Sequence, residues 1–283
     1  MAQLASTIFL DEKNYKMEVC LDPFNKRIRI DDYRGKFASI ITKSEELAHN
    51  NKSEKLIFKG HAKDLQKFLE SGFQLEATID NYFRGSDAYF FTKYFDANRK
   101  KNDHWITEDG MIHSIFHLEP SIEQMHPPVK YQLLRGEEKH AGKLSEMYRQ
   151  VFKVYPTPLH NADYIKKTMK EGTVYYLFLD EENVISAASA ESNHFYKNAE
   201  LTDCATLTEY RQHGLMKFLL QKLEEELIGQ GIYCAYSIAR ALSFGMNAVF
   251  FQLGYSYRGR LMNNVFIYDK LENMNVWVKN LAR

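Results

Sequence analysis

The sequence predicts an α/β (α+β) fold arranged in two units. Three observations carry that expectation. The chain has 283 residues, 45% of them hydrophobic, which is enough apolar material for one large or two ordinary cores. The second half alternates strand-like and helix-like segments in the order β-α-α-β-β-β-α-β-α-β-β, and part of that order recurs in the first half. Pro120 and Pro127-Pro128 bracket a linker between them, so the units are expected at 1–125 and 129–283.

In the first unit, Ser6–Leu10 and Tyr15–Leu21 read as strands, and Asp22-Pro23-Phe24-Asn25 as a turn. Lys26–Ile30 alternates, with Ile28 and Ile30 on one face. Phe37–His49 has helical spacing, Lys55–Phe58 is a short strand, and Ala62–Glu70 is a helix closed by Gly72. Phe73–Asn81 and Asp87–Phe95 form a hairpin around Arg84-Gly85-Ser86. Ile106–Leu118 reads either way. Its His113 and His117 have a spacing that could hold a metal on a helix, but no Glu follows His113 and no third ligand is evident, so no metal is expected.

In the second unit, Val129–Leu134 is a strand and Glu137–Phe152 a helix with Leu144, Met147, Tyr148 and Val151 on one side. Tyr155-Pro156-Thr157-Pro158 is a rigid loop, and Asn161 caps a helix running to Lys170. Thr173–Leu179 and Val184–Glu191 form a hairpin, and Ala199–Thr206 is the next strand. Leu215–Ile228 is a long helix, Ile232–Ile238 a buried strand, and Ser243–Leu253 a helix ended by Gly254. Tyr255–Leu261 and Val265–Asp269 are the last expected strands.

Charge and composition narrow the function. Lys+Arg and Asp+Glu are 37 each, and this absence of basic excess argues against nucleic acid as a partner. Cys20, Cys204 and Cys234 lack metal-ligand spacing and read as reduced thiols of a cytoplasmic protein. MAQLASTIFLDEK has no basic region of the signal-peptide kind, and no window reaches the roughly 18 apolar residues of a membrane span. The sequence does not set the oligomeric state and leaves a homodimer open.

The stretch from Ala205 to Glu226 organises the chemistry. A strand runs into Arg211-Gln212-His213-Gly214 and then a long helix, so the amides from Gln212 to Met216 converge where the helix dipole favours an anion. This arrangement resembles the pyrophosphate loop of the GCN5-related N-acetyltransferases (GNAT), which carry [RQ]-x-x-G-x-[GA]. Arg211 and Gly214 match, Leu215 follows, and Met216 stands where the family prefers Gly or Ala. The resemblance implies a central mixed sheet, acetyl-CoA as cosubstrate, and pairing of the main chain of Ala205, Thr206 and Leu207 with pantetheine. Ser243 to Tyr255 resembles the family segment N-x-x-A-x-x-x-Y-x-x-x-G-F. Ser243 takes the Asn position, though it serves equally as a helix cap, and Asn247 is a second cofactor candidate. Phe250 replaces the Tyr that in many members protonates the leaving thiolate.

An internal repeat extends the resemblance. D-Y-R-G-K-F around Tyr33 and Arg34 parallels E-Y-R-Q-H-G around Tyr210 and Arg211. Gly72-Phe73 parallels Gly254-Tyr255, and Arg84-Gly85 parallels Arg258-Gly259. The first unit therefore reads as a degenerate GNAT-like copy. It lacks a counterpart of Gly214 and is not expected to bind acetyl-CoA well.

Acyl transfer to an amine needs a base, because a primary alkylamine has a pKa of roughly 10.4 and is mostly protonated at neutral pH. Asp203 is the first candidate, with Glu191 and Glu200 as alternatives; the competing reading of each is an exposed charge at a strand end, and for Asp203, between Thr202 and Cys204, the functional reading is preferred. T-D-C-A-T-L-T-E-Y-R, Y-S-I-A-R-A-L-S-F-G-M-N and L-E-N-M-N-V-W-V-K resemble the β-lysine N-acetyltransferases. That likeness implies acetylation of the N6 amine of β-lysine, a small diamino acid, to a neutral zwitterion suited to osmolyte duty. Arg240, Asn263 and Asn264 are candidates for the substrate carboxylate, and Glu191 or Tyr236 for its second ammonium. Asn275 and Trp277 could close the pocket, with core packing the plainer reading of Trp277. The alternatives are an acetyltransferase for another amine and a non-catalytic acyl-CoA sensor.

Overall fold

The computed structural model describes residues 5–120, 128–153, 155–267 and 270–282. The expected linker at 121–127 and the last two residues of the expected strand Val265–Asp269 lie outside these ranges. The first half contains β1 (Ser6–Glu12), β2 (Tyr15–Asp22), β3 (Arg27–Gly35), α1 (Phe37–Asn50), β4 (Lys55–His61), α2 (Leu65–Glu70), β5 (Gln74–Phe83), β6 (Ser86–Tyr94) and α3 (Trp105–Ile115). The second contains β7 (Gln132–Arg135), α4 (Ala141–Val151), α5 (Ala162–Lys170), β8 (Val174–Asp180), β9 (Asn183–Asn193) and β10 (Asn198–Thr206). It continues with α6 (Leu215–Gly229), β11 (Cys234–Arg240), α7 (Phe244–Gln252), β12 (Ser256–Ile267) and β13 (Lys270–Asn280). Asn161 caps α5 as expected, its side chain accepting from the Asp163 amide at 2.9 Å. No helix among the described residues is long and apolar enough to cross a membrane.

Among the described residues the strands form one mixed sheet of 13, in the order β1-β2-β3-β4-β6-β5-β12-β13-β11-β10-β9-β8-β7. Read from its outer side inwards, the first half runs β1-β2-β3-β4-β6-β5, and from β8 the second runs β8-β9-β10-β11-β13-β12: the same path twice. Parallel pairing occurs at equivalent places, β3 with β4 and β10 with β11. The helix ends repeat too. Gly72 and Gly254 have φ of +80° and +84°, and the next amides, of Phe73 and Tyr255, each donate five residues back at 3.0 Å.

Two of the sequence parallels do not hold in space. Tyr33, Arg34 and Gly35 lie inside β3, paired with Met17, Lys16 and Tyr15, so the strand runs almost directly into α1 without a phosphate-type loop. Gly85 sits in the β5–β6 turn, whereas Gly259 lies within β12 opposite Ala77. Ala77 is the counterpart of Gly259 by distance from Gly72 and Gly254, so the two halves meet at equivalent residues.

That crossing explains Gly259. Its φ is +121°, and an added Cβ would lie 2.7 Å from Ala77 Cα and closer still to the Glu76 carbonyl oxygen. Gly259→Ala is therefore expected to cost roughly 2–4 kcal/mol, read as a lowered denaturation midpoint.

The last strands correct the sequence reading. Tyr255–Leu261 and Val265–Asp269 are not separate: β12 runs through, with register shifts and Asn263 at φ +41°. The tail L-E-N-M-N-V-W-V-K forms β13, an interior strand. Its asparagines hid it. Asn273 accepts from the Asn263 amide at 2.7 Å and donates to Glu108 at 2.6 Å, so polar residues occupy buried positions with partners. Ile106–Leu118 resolves mainly into α3, and the ring of His113 in it lies 4.6 Å from that of His117 just past its end.

Four apolar clusters hold the sheet. One packs α6 and α7 on one face of the second half, and another packs α4 and α5 on the opposite face. A third packs α1 in the first half. The fourth bridges the halves, joining Ile57, Ile79 and Phe90 to Leu261, Val265 and Val276. Buried cations close the seam. Arg99 donates to the Asn263 carbonyl at 2.9 Å and the Asn25 carbonyl at 2.7 Å, and Arg27 to the Asn264 carbonyl at 3.1 Å.

Candidate active site

The parallel strands β10 and β11 pair only at Asn198–Cys234, Ala199–Ala235 and Glu200–Tyr236. Beyond Glu200 they part, leaving β10 paired with β9 alone and β11 with β13. A bulge between Thr202 and Ala205 accompanies the parting, and Asp203 there takes φ +52°. Such a conformation is unusual for any residue but Gly, though Asp and Asn tolerate it better than most.

The strand ends at Thr206 and enters a tight turn from Thr208 to His213. Gly214 then adopts φ +64°, ψ +16°, and α6 begins at Leu215. Nothing lies within 4 Å of a Cβ built on Gly214, so the loop is open above it. The Lys217 amide bonds back to the Gly214 carbonyl at 3.1 Å, while the Leu215 and Met216 amides have no upstream helical carbonyl to bond. Arg211, Gln212 and His213 are exposed, with Arg211 Nε donating to the Thr206 carbonyl at 3.2 Å. Leu215 and Met216 bury their side chains in the α6 core. Met216 therefore crowds the core rather than the loop, and only its amide is left to meet a phosphate. An open fork in the sheet leading to unpaired amides at a helix N-terminus suits an extended chain ending in a diphosphate.

Ser243 precedes α7, and its hydroxyl makes no capping bond. Asn247 departs from its expected role. It is fully buried: its amide nitrogen donates to the carbonyls of Arg240 and Ser243 at 2.9 and 2.7 Å, and its oxygen accepts from Asn275 and Trp277 at 2.9 and 2.7 Å. Asn247, Asn275 and Trp277 thus form one buried network between α7 and β13, away from the residues that line the cleft described below. Phe250 is fully buried against Tyr255, with ring centroids 5.1 Å apart.

The carboxylates gather on one face of the sheet. Glu191 lies opposite Glu200 across β9 and β10, and Glu200 opposite Tyr236 across β10 and β11. Asp203 is only 5% exposed and accepts from Ser189 Oγ at 2.8 Å. Burial first, and then the charge of Glu200, push its carboxyl up to about 6, against the pull of hydrogen bonds from Ser189 and Tyr155. Glu191 is pushed up to about 7 by the surrounding protein and by Asp203 and Glu200, with Arg29 and Lys59 opposing. Water reaches Glu191 from outside and screens part of that push. Two carboxyls held near neutrality beside a sheet fork can receive protons at physiological pH.

The same face opens into a cleft of about 250 Å³ between the halves. Glu191, Glu200 and Tyr236 line it from the second half; Glu18, Arg29, Asp31, Lys59 and Tyr82 line it from the first. None of these first-half residues was expected from the sequence. The alternation around Ile28 and Ile30 places Arg29 and Asp31 on the opposite face, and that face reads as solvated until the second half covers it. Ser189 and Tyr155 gave no sequence signal, since their value lies in reaching Asp203. A larger hollow of about 480 Å³, bounded by Arg135, Met169 and His194, contains none of the expected site residues.

The expected carboxylate ligands lie elsewhere. Arg240 is bidentate to buried Glu272, with both bonds at 2.7 Å. Asn263 donates to the Arg99 and Lys101 carbonyls at 2.8 and 2.6 Å, and Asn264 is buried at the seam. None of the three lines the cleft; Tyr236 does.

The model of the acetyltransferase (GNAT) family matches residues 142–255. N-acetyltransferase YodP of Bacillus subtilis is 40% identical over 260 residues, covering 92% of this chain and 94% of that protein. The beta-lysine N(6)-acetyltransferase of Methanococcus maripaludis is 31% identical over 263 residues, with coverage of 92% and 94%. Its namesake in Methanosarcina mazei is 31% identical over 270 residues, covering 88% of this chain and all of that one. These alignments span both halves and the sheet fork alike, and the chain accordingly belongs to the GNAT family as an acetyl-CoA-dependent N-acetyltransferase.

Proposed function

We propose that the chain acetylates the N6 amine of β-lysine, 3,6-diaminohexanoate. The observation that carries this is the set of carboxyls on one sheet face beside the fork, opening into a small polar cleft. The names of two relatives aligned over most of the chain support the choice of amine.

Bound acetyl-CoA supplies the acetyl group as a thioester. The main chain of Ala205, Thr206 and Leu207 holds the pantetheine arm, and the amides from Gln212 to Met216 hold the diphosphate, with Arg211 and Ser243 at the margins. Glu191 draws the reacting ammonium to the fork. Asp203 takes its proton. A pKa of about 6 suits that role, since the group is ionised at pH 7 yet basic enough to accept. Phe250 has no proton to give. The first half is read as a degenerate copy of the same fold, on the strength of the repeated strand path and helix ends. The acetylated product has no net charge, as suits a compatible solute.

Thiol release from acetyl-CoA tests the proposal with β-lysine, lysine, spermidine and a lysine peptide. Fastest turnover is expected with β-lysine. Turnover of spermidine without β-lysine would overturn the substrate, and tight acetyl-CoA binding with no turnover of any amine would overturn the site.

A further inference from the structure

Proton removal at Asp203 leaves a second group of charges in the cleft with no part to play. Arg29 on β3 and Lys59 on β4 share one carboxylate, Asp31. Arg29 bonds it through Nε at 2.6 Å and Nη2 at 3.0 Å, and Lys59 Nζ lies 2.8 Å away. Lys59 also donates to the Tyr82 hydroxyl at 3.0 Å. Asp31 is the one carboxylate in direct contact with both cations, while Glu18, Glu191 and Glu200 line the same cleft, and Lys59 is only 7% exposed. Buried ionic groups of this kind seldom stabilise a fold better than apolar side chains of the same volume. Among the described residues, Nη1 of Arg29 makes no hydrogen bond, and Lys59 has a third N–H beyond the two partners named. Both side chains line the cleft, as do Glu18 and Glu200.

A polyamine gains nothing from Arg29 and Lys59 and is repelled by them. An amino acid with neighbouring carboxylate and ammonium groups needs cations and anions side by side, which is the arrangement present. We infer that Arg29 and Lys59 bind the carboxylate of the amine substrate while Glu18 and Glu200 receive its second ammonium. The first half of the chain then recognises the amino-acid end, and the second half acetylates the other. This rests on the small-amine reading above for the position of the reacting nitrogen, but the carboxylate clamp can be measured by binding alone.

Three ligands separate the contributions: β-lysine; 1,4-diaminopentane, which lacks the carboxylate; and 6-aminohexanoate, which lacks the second ammonium. Titration calorimetry and steady-state kinetics are run on the wild type, Arg29→Gln, Lys59→Met and Glu18→Gln. The wild type should prefer β-lysine to 1,4-diaminopentane by at least ~10-fold. Arg29→Gln and Lys59→Met should weaken β-lysine and 6-aminohexanoate by on the order of 10–100-fold, through KM rather than kcat, and leave 1,4-diaminopentane within about threefold. Glu18→Gln should weaken β-lysine but not 6-aminohexanoate. Equal losses for all three ligands, or no loss, would overturn the inference. If a variant fails to fold by thermal melting, wild-type parity between β-lysine and 1,4-diaminopentane overturns it instead. Arg29-dependent binding of β-lysine without turnover would uphold the clamp and sink the catalytic reading, so the two fail separately.

Discussion

Asp203→Asn is expected to lower kcat by roughly 10²–10⁴-fold and at the same time to raise thermal stability at pH 8. Both effects follow from one burial. The carboxyl is held at about 6 in the folded chain, against an ordinary value near 4. Between those values the folded state binds the extra proton, so stability falls as pH rises through that window and stays lower above it. The ionised carboxylate costs at most about 3 kcal/mol at pH 8, from about two pKa units at ~1.4 kcal/mol each. Asn removes that cost, still accepts from Ser189 through Oδ1, and tolerates φ +52° nearly as well as Asp. Melting curves at pH 5 and pH 8 should show the variant gaining on the wild type at both, and about twice as much at the higher pH. In the wild type, kcat/KM should fall on acidification through about pH 6. Full activity in Asp203→Asn would transfer the base role to Glu191.

Gly214→Glu is expected to abolish acetyl-CoA binding, with Kd rising by at least ~100-fold, while the fold persists. The left-handed backbone at Gly214 costs a side chain roughly 1–2 kcal/mol. Since nothing lies within 4 Å of the added Cβ, no core packing is disturbed. The new carboxylate would stand where the helix N-terminus favours an anion and would compete with the diphosphate for it. Calorimetry with CoA measures the loss, and a melt controls for folding. Gly214→Ala separates charge from backbone strain, since it carries the strain alone. Unchanged binding in the Glu variant would remove the diphosphate from this loop.

The cofactor side was legible in the sequence because its determinants are local. A strand, a turn, Gly214 and the start of α6 are contiguous, and backbone geometry follows from neighbouring residues. The position of Asp203 beside the fork was legible for the same reason, since it lies just upstream of the fork's loop. The substrate side depends on a fold-back that no local pattern records. Arg29 and Asp31 become cleft residues only because β5 meets β12 and brings the first half against Glu191, Glu200 and Tyr236. Arg240, Asn263 and Asn264 misled for the converse reason. They are polar residues near the motifs, but the fold uses them internally, on Glu272 and across the seam. The hidden strand β13 has a similar cause, since its asparagines find buried polar partners out of water and break the alternation that marks a strand.

The continuous sheet has a further bearing on how affinity is set. A ligand gripped from both halves is thermodynamically linked to their union, and whatever strengthens one strengthens the other. Substitutions at Arg99, Arg27 or Gly259, remote from any carboxylate in the cleft, would then register as changes in amine affinity. The seam is in that sense a tuning element, through which drift in hydrogen bonds to the Asn263 and Asn264 carbonyls can retune substrate preference without altering a catalytic side chain.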